Sequence, residues 1–214
     1  EGDVLVENTW ELFQKGGPVM YILLLCSIFV AAIAIERWRF YRQAGKGAGA
    51  FVKDLAQEIK GQGIKASAER CGSVNTAAAY VAAAGLRAAS EGTNLVLALD
   101  TAYGEMAMEL RARLNYLSTI VTLAPLLGLL GTISGMIQSF SIFSVRAGEP
   151  LAITGGIGEA LVATATGLCV AIFALLVHTY FAQKLDEMLA VLDKASAAVQ
   201  EGIGMKKEGE NHAA

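Results

Sequence analysis

The stretch 114-LNYLSTIVTLAPLLGLLGTISGMIQSF-140 determines the fold class of this chain, because it holds 27 residues without a single charge. The uncharged run continues to Val145. An α-helix needs about 20 residues to cross the ~30 Å hydrocarbon core of a membrane. We therefore expect a transmembrane helix, placed at 114–143, that tilts or projects beyond the membrane.

Two further runs of similar character lie on either side of this stretch. Gly16–Ile35 has no charged residue, and Pro150–Gln183 is interrupted only by Glu159 and one histidine. These runs predict spans at 16–36 and 151–183. Only 17% of the residues are charged, against about 25% in soluble domains. The sequence therefore predicts an all-α integral membrane protein with three transmembrane helices, because a soluble core of this size would not hold three such runs.

Lysine and arginine side chains predict the orientation of the spans, since they concentrate on the cytoplasmic side. They follow the first span, precede the second and follow the third: Arg37, Arg39, Arg42, Lys46, Arg111, Arg113, Lys184 and Lys194. The opposite side is mainly acidic. We therefore expect an outer segment at 1–15, a cytoplasmic helical domain at 37–113, an outer loop at 144–150 and a cytoplasmic helix and tail at 184–214.

The predicted cytoplasmic domain is rich in alanine, the strongest helix former. We expect three or four helices and no strands in it, with breaks at Gly45–Gly49, at Gly61–Gly63, near Gly72 and around Gly92. Asn94–Arg113 is expected to run into the second span as one long helix. Lys184–Gly202 is expected to be helical because apolar residues recur there at helical spacing, and the end beyond Gly202 is expected to fray.

Small residues mark the second and third spans as helices with close neighbours. Two four-residue series run along the second span: Gly128 with Thr132, and Gly131 with Gly135 and Ser139. The third span carries eight glycines and alanines between Gly155 and Ala171. Small residues at such spacing let helix backbones approach closely in lipid. They predict a homo-oligomer, most simply a ring, while packing of the two spans within one chain would use the same residues.

Glu159 is the acidic residue inside the third span. It lies about eight residues from the start of that span, roughly 12 Å below the outer surface at 1.5 Å per residue. A carboxylate at such depth costs on the order of 3 kcal/mol, so it must face protein, water or a cation. We interpret Glu159 as part of an ion or proton path. An interhelical hydrogen bond from a protonated carboxyl is the alternative.

Three threonines could extend such a path. At 100° per residue, Thr166 lies within about 20° of the Glu159 face of the helix. Thr164 lies about 140° away on the same count and could face the second span or a neighbouring subunit. Thr132 in the second span could meet either of them. Each hydroxyl could instead bond a carbonyl one turn earlier in its own helix.

Other chemistries find no support in the sequence. The cysteines at 26, 71 and 169 form no CxxC pair, and the histidines at 178 and 212 have no ligand partners at useful spacing. We therefore expect no metal site, no disulfide and no cofactor. Neither a nucleophile–base pair nor a ligand set lies within the spans, so an enzyme is not expected. The net charge of −3 gives no indication of nucleic-acid binding.

Three motifs resemble one known family. The core APLLGLLGT…GM, between Ala124 and Met136, resembles the second-span signature of the MotA/TolQ/ExbB proton channel family. GIGEALVATATGLCVA, from Gly156 to Ala171, resembles the third span of the ExbB/TolQ branch, and GGPVMYILLL with IERW is similar to its first span. The resemblance covers all three spans, whereas 37–113 matches only in length and alanine content.

This resemblance implies a fold, a site and partners. ExbB-like subunits lie in the bacterial inner membrane with a periplasmic N-terminus and a cytoplasmic C-terminus. They form a pentamer around a dimer of a single-span partner, ExbD or TolR, whose membrane aspartate exchanges the ion. The current drives relative motion, and the work reaches the envelope through a TonB- or TolA-like protein. Carried over to this chain, the ion pathway falls on Glu159, Thr132 and Thr164. Gly128, Gly131, Gly135 and Ser139 stay helix-packing candidates.

The specific role stays open between several interpretations. An ExbB-like subunit that conducts protons and energises TonB-dependent outer-membrane transport is the first. A TolQ-like subunit of a Tol-Pal envelope system and a non-conducting membrane scaffold are the alternatives. A flagellar MotA-type stator fits less well, since such chains have four spans and lack the glutamate. Thr166 stands where the family usually has an apolar residue, so sodium stays open beside protons. The first residue, Glu1, fits a processed signal peptide or a cut sequence boundary.

Overall fold

The computed structural model describes the backbone of residues 17–145 and 150–213. The side chains of these residues are described except at 142–145, 150–156, 159 and 207–213. Within these limits the protein is all-helical, with the helices α1 (Val19–Ala44), α2 (Ala48–Gln62), α3 (Ile64–Ser73), α4 (Ala77–Glu91), α5 (Leu95–Arg111), α6 (Leu114–Val145) and α7 (Pro150–Ala213). The predicted outer segment 1–15 and most of the outer loop 144–150 lie outside the described residues.

Three helical stretches are long and apolar enough to cross a membrane. They fall within Val19–Gln62, Leu95–Ser141 and Ala160–Lys206. Each includes most of one predicted span, so the chain is a membrane protein with three membrane-capable helices, as the uncharged runs predicted. The helices extend past the predicted limits of the spans, which remain predictions.

The chain divides into two compact units. The first unit comprises Glu1–Ile35 and Arg113–Tyr180, and the second comprises Glu36–Ala112 and Phe181–Ala214. Helices α1 and α7 therefore contribute residues to both. The first unit holds most of the apolar helix length, and the second holds α2 to α5.

The breaks before α2, α3, α4 and α5 lie where the sequence predicted. Gly47, Gly63 and Gly92 have positive φ values of 77°, 86° and 72° at breaks between helices, a conformation that suits glycine. The hydroxyl of Thr76 accepts a hydrogen bond from the N–H of Ala79 at 3.3 Å and caps α4. The predicted breaks and the prediction of three or four helices without strands are confirmed.

The C-terminal part of α7 packs within the second unit. A Cβ atom on Gly202 would lie 2.9 Å from Cβ of Ile59 and 3.0 Å from the carbonyl oxygen of Ala56. Gly202 therefore marks a close approach of α7 to α2, and Ile203 beside it is buried. The expected frayed end beyond Gly202 is wrong, since the helix continues to Ala213. The glycine permits contact there and does not end the helix.

The expectation that Asn94–Arg113 runs directly into the second span is also wrong. Helix α5 ends at Arg111 and α6 begins at Leu114. Between them Arg113 has a φ of 68°, which a continuous α-helix does not allow. The local sequence contains no glycine or proline that could have predicted this break. The carbonyls of Glu109 and Leu110 in the last turn of α5 accept hydrogen bonds from side chains of α1, and the Glu109 carbonyl also accepts one from the N–H of Ala112.

Candidate ion-path site

Helices α6 and α7 meet through their backbones at two glycines. A Cβ atom on Gly167 would lie 2.6 Å from the carbonyl oxygen of Ala124 and 3.0 Å from Cα of Gly128. A Cβ atom on Gly128 would lie 3.0 Å from the carbonyl oxygen of Ala163 and 3.0 Å from Cα of Thr164. At Gly167 no side chain larger than hydrogen fits, and at Gly128 a methyl group would press against the backbone of α7. The two helices therefore approach as closely as small residues permit.

One turn along α6, Gly131 continues this contact. A Cβ atom there would lie 2.5 Å from Cβ of Ala163, which is fully buried, and 3.7 Å from Cβ of Val19 in α1. Glycine is therefore needed at 131 to accommodate the alanine of α7. Gly128, Gly131, Ala163 and Gly167 together form what we call the glycine contact.

Thr164 forms a hydrogen bond across the glycine contact. Its Oγ1 donates a hydrogen bond to the carbonyl oxygen of Gly128 at 3.0 Å. The sequence left open whether this threonine faces the second span or a neighbouring subunit. In the structure it faces the second span of its own chain.

The other hydroxyl groups bond within their own helices. Thr132 Oγ1 donates to the carbonyl of Leu129 at 2.6 Å, and Thr166 Oγ1 donates to that of Val162 at 2.9 Å. Ser139 Oγ donates to the carbonyl of Gly135 at 2.8 Å. A hydroxyl that donates to its own helix can still accept a hydrogen bond, because two lone pairs remain on the oxygen. Thr132 and Thr166 can therefore accept a further hydrogen bond while they keep the bonds to their own helices.

Glu159 lies in the α7 backbone four residues before Ala163, which is one helical turn. Its side chain lies outside the described residues. Ala160, which follows it, is 3% exposed, and Ala163 is fully buried. The structure thus brings the backbone of position 159 to the edge of the glycine contact. The role of Glu159 in an ion path, and that of Thr132, Thr164 and Thr166, stays a prediction.

A proline lies in the middle of α6. Pro125 lies inside α6, and without an N–H it leaves the carbonyl of Val121 without its usual helical donor. The neighbouring Ala124 carbonyl is the one that Gly167 approaches. The Ala–Pro pair within an apolar run was the signal that could have located this contact.

Large apolar side chains of the same helices remain exposed. On α6 they include Leu126 at 62% and Ile137 at 66% exposed, and on α7 they include Leu161 at 63% and Leu176 at 65%. Burial of such side chains is a main source of stability in water, so faces of this kind belong against lipid or other chains. Among the residues that the structure describes, no group of His, Cys, Asp and Glu could hold a metal ion.

Comparison with known proteins identifies the family. The family model described as the MotA/TolQ/ExbB proton channel family matches residues 73–194. An ExbB-like biopolymer transport protein of Synechocystis is 37% identical over 189 residues, 84% of this chain and 74% of that protein. The ExbB protein of Salmonella typhimurium is 38% identical over 86 residues, 40% of this chain and 35% of its own length. The Tol-Pal protein TolQ of Pseudomonas aeruginosa is 36% identical over 93 residues, 43% of this chain and 40% of its length. The chain therefore belongs to the ExbB/TolQ branch of the MotA/TolQ/ExbB proton channel family, as a membrane channel subunit and not an enzyme.

Proposed function

We propose that this protein is the ExbB-like subunit of an inner-membrane motor driven by the proton-motive force. It conducts protons together with a single-span, ExbD-like partner, and the motor energises TonB-dependent outer-membrane transport. The N-terminus is periplasmic and residues 37–113 and 184–214 are cytoplasmic. The observation that carries the proposal is the place of Glu159 in α7, one turn before the alanine of the glycine contact.

The glycine contact supports a proton path because it fixes the backbone that carries Glu159. Gly131 and Gly167 leave no room for a Cβ atom, so α6 and α7 have little freedom to slide at this level. A carboxyl group on such a rigid element keeps its position when it gains or loses a proton. The Oγ1 atoms of Thr132 and Thr166 have lone pairs left to accept hydrogen bonds from water or from a protonated carboxyl.

The exposed apolar faces of α6 and α7 support a ring of several copies. One chain with three spans cannot enclose a partner helix, and the faces around Leu126 and Leu161 are left uncovered by the chain itself. Closed cyclic symmetry is the usual way for identical chains to cover such faces. We propose a homo-pentamer around a dimer of the single-span partner, with lipid against α1.

A TolQ-like role is the second candidate. The similarity to the Pseudomonas TolQ protein, 36% identity over 43% of this chain, is comparable to that with Salmonella ExbB. The same site would serve both roles, and a TolR- and TolA-like pair would then replace the ExbD- and TonB-like pair. Deletion of the gene separates them: lost uptake of a TonB-dependent substrate indicates the ExbB-like role, and envelope leakage with intact uptake indicates the TolQ-like role.

Proton flux through the purified complex tests the proposed function. The protein is co-purified with the proposed ExbD-like partner and reconstituted in liposomes that contain a pH-sensitive dye. We expect Glu159→Gln to reduce flux to that of empty liposomes, and Glu159→Asp to retain part of it. Glu187→Gln is the matched control, since Glu187 is an exposed acid further along α7 that pairs with Lys184.

The flux values are comparable only if all variants form the complex in the same yield. Wild-type flux in an assembled Glu159→Gln complex would overturn the proposal and favour a non-conducting scaffold or a path elsewhere. Replacement of the proton gradient by a sodium gradient identifies the ion, and Thr166→Val tests whether the additional hydroxyl group contributes to that selectivity.

A further inference from the structure

Within the first unit, helices α1 and α6 run side by side in opposite directions. At one place the Phe29 ring contacts the Tyr116 ring edge-on, with 6.1 Å between the ring centres. At another, a Cβ atom on Gly131 would lie 3.7 Å from Cβ of Val19. The contacts in α6 move back from 131 to 116 while those in α1 advance from 19 to 29. The two helices are therefore antiparallel.

A groove of about 550 Å³ lies between these two helices. Five of its lining residues come from α1, between Leu25 and Ala32, and three come from α6, between Tyr116 and Ile120. All of them belong to the first unit. Ile120 is buried, whereas Leu25 and Tyr116 are 66% and 59% exposed. The groove is thus open to the surroundings of the helix pair, and we call it the α1–α6 groove.

The lining of the α1–α6 groove is almost entirely apolar. Its side chains are aliphatic or aromatic except for those of Cys26 and Thr119. A free cysteine behaves as a small apolar side chain. The Thr119 hydroxyl donates to the carbonyl oxygen of Asn115 in its own helix at 2.9 Å, so its one donor is already used. A hydrocarbon chain can therefore fill the groove without breaking a hydrogen bond.

A positive charge lies at one end of the groove. The carbonyl oxygen of Arg113 accepts a hydrogen bond from the N–H of Tyr116 at 3.2 Å. This bond places the backbone of Arg113 beside the first lining residue of α6. The Arg113 side chain is exposed, and a guanidinium group binds phosphate through paired hydrogen bonds. An apolar groove and a phosphate-binding group are thus neighbours.

The size of the groove favours a lipid chain over a protein helix as its occupant. Stable interfaces between proteins use about 20–30 residues a side, whereas eight residues line this groove. Its volume lies within the range of about 300–1,000 Å³ that is typical of sites for small molecules. The positive charge of Arg113 complements an anionic headgroup in the same way that the apolar lining complements an acyl chain.

We infer that the α1–α6 groove holds one acyl chain of an anionic phospholipid, with the lipid phosphate at Arg113. Each copy of this chain then carries one such lipid. Tyr116 lies where the acyl chain meets the headgroup, a level of the membrane that tyrosine rings favour. The inference requires only that the spans lie in a membrane. It does not involve Glu159, so the lipid site and the proton path can fail separately.

Native mass spectrometry of the full complex tests for this lipid. The complex is released from nanodiscs with equal amounts of phosphatidylglycerol and phosphatidylcholine, and the lipids that stay bound after collisional activation are counted. We expect one retained phosphatidylglycerol per copy of this chain. Its preference over phosphatidylcholine should be about fivefold, the effect of one arginine near the membrane surface on an anionic lipid. Arg113→Gln should remove the preference, and Arg113→Lys should keep most of it because the charge remains.

A substitution that fills the groove provides the second arm of the test. Ala32→Phe places a ring in the groove and should abolish the retained lipid. Leu24→Phe is the matched control, since Leu24 is an exposed residue of the same helix that does not line the groove. If Ala32→Phe does not assemble, the comparison of Arg113→Gln with Arg113→Lys decides, because both change only an exposed side chain.

Four results would overturn the inference. They are a wild-type complex without retained lipid, equal retention of the two lipids by the wild type, an unchanged preference in Arg113→Gln, and equal retention in assembled Ala32→Phe and Leu24→Phe complexes. Loss of a protein component from the Ala32→Phe complex, in place of lipid, would show that a protein helix occupies the groove and would also overturn it.

Discussion

The two units of this protein pack by different means. In the second unit, α4 buries nine of its fifteen residues, and its largest buried side chain, Leu86, is fully enclosed. In the first unit, α6 and α7 meet through Gly128, Gly131, Ala163 and Gly167. Large side chains of these helices such as Leu126 and Leu161 stay exposed. The core of α4 is thus closed within the chain, whereas α6 and α7 leave long apolar faces on the outside.

This difference is the one expected if the first unit lies in lipid and the second in water, as we propose. Burial of apolar surface stabilises a fold in water by about 25 cal/mol per Å². In lipid that contribution disappears, because lipid tails are as apolar as leucine, and close backbone packing with hydrogen bonds must hold the helices together.

Leu86→Ala should have the largest effect on stability. The side chain is fully buried in the alanine-rich core of the second unit, and a cavity at such a site costs about 3–4 kcal/mol. The free energy of unfolding of the purified protein measures it. Leu97→Ala is the control, because Leu97 in α5 is 64% exposed. Equal losses in the two variants would show that the second unit does not depend on its own core.

Gly167→Ala should have the next largest effect, about 3 kcal/mol, because its Cβ would meet the backbone of α6, which cannot rotate away. Gly158→Ala on the same helix is the matched control, since a Cβ atom there meets nothing within 4 Å in the chain. Titration with a denaturing detergent compares the two. Equal stability of the two variants would contradict the close backbone approach of α6 and α7 at Gly167.

Gly85→Ala should cost less, about 1 kcal/mol, although its Cβ would overlap Leu99 Cδ2 and lie 2.9 Å from Leu99 Cγ. The obstacle is a side chain that can change its rotamer, and alanine regains about 1 kcal/mol of helix propensity. The same denaturation experiment places this variant between wild type and Gly167→Ala. If Gly85→Ala lowers the free energy of unfolding more than Gly167→Ala, a clash with a side chain costs no less than a clash with backbone, and the contrast is wrong.

Thr164→Val should have the smallest effect, about 0.6 kcal/mol, the average for an interhelical hydrogen bond within a membrane protein. The variant loses the bond from Thr164 to the Gly128 carbonyl and keeps the shape of the side chain. Thr166→Val is the matched control, since Thr166 bonds only to Val162 in its own helix, and it should leave stability unchanged. A larger loss in Thr166→Val would contradict the assignment of the two hydroxyls.

The sequence predicted the features that depend on local composition. The uncharged runs located three membrane-capable helices, and glycines such as Gly63 and Gly92 marked the ends of helices because their backbone takes a positive φ. The small residues of the second and third spans indicated close packing. Their periodicity did not show which residue meets which, and the pairing of Gly128 with Gly167 needed the structure.

Features that depend on distant contacts were not predictable in this way. The break at Arg113 accompanies hydrogen bonds from Arg37 and Tyr41, which lie about 70 residues earlier in the chain. Glycine is a residue type typical of helix ends, yet Gly202 lies against Ile59 inside a continuous helix. At Gly202 the contact partner, and not the residue type, decides the local structure.

The central claim is that the first unit is completed by further copies of the same chain. Native mass spectrometry of the complex, released directly from lipid nanodiscs, tests this most directly. The account predicts five copies of this chain with two copies of a single-span partner. A stable particle that holds one copy, with the exposed faces of α6 and α7 covered by lipid alone, would contradict it.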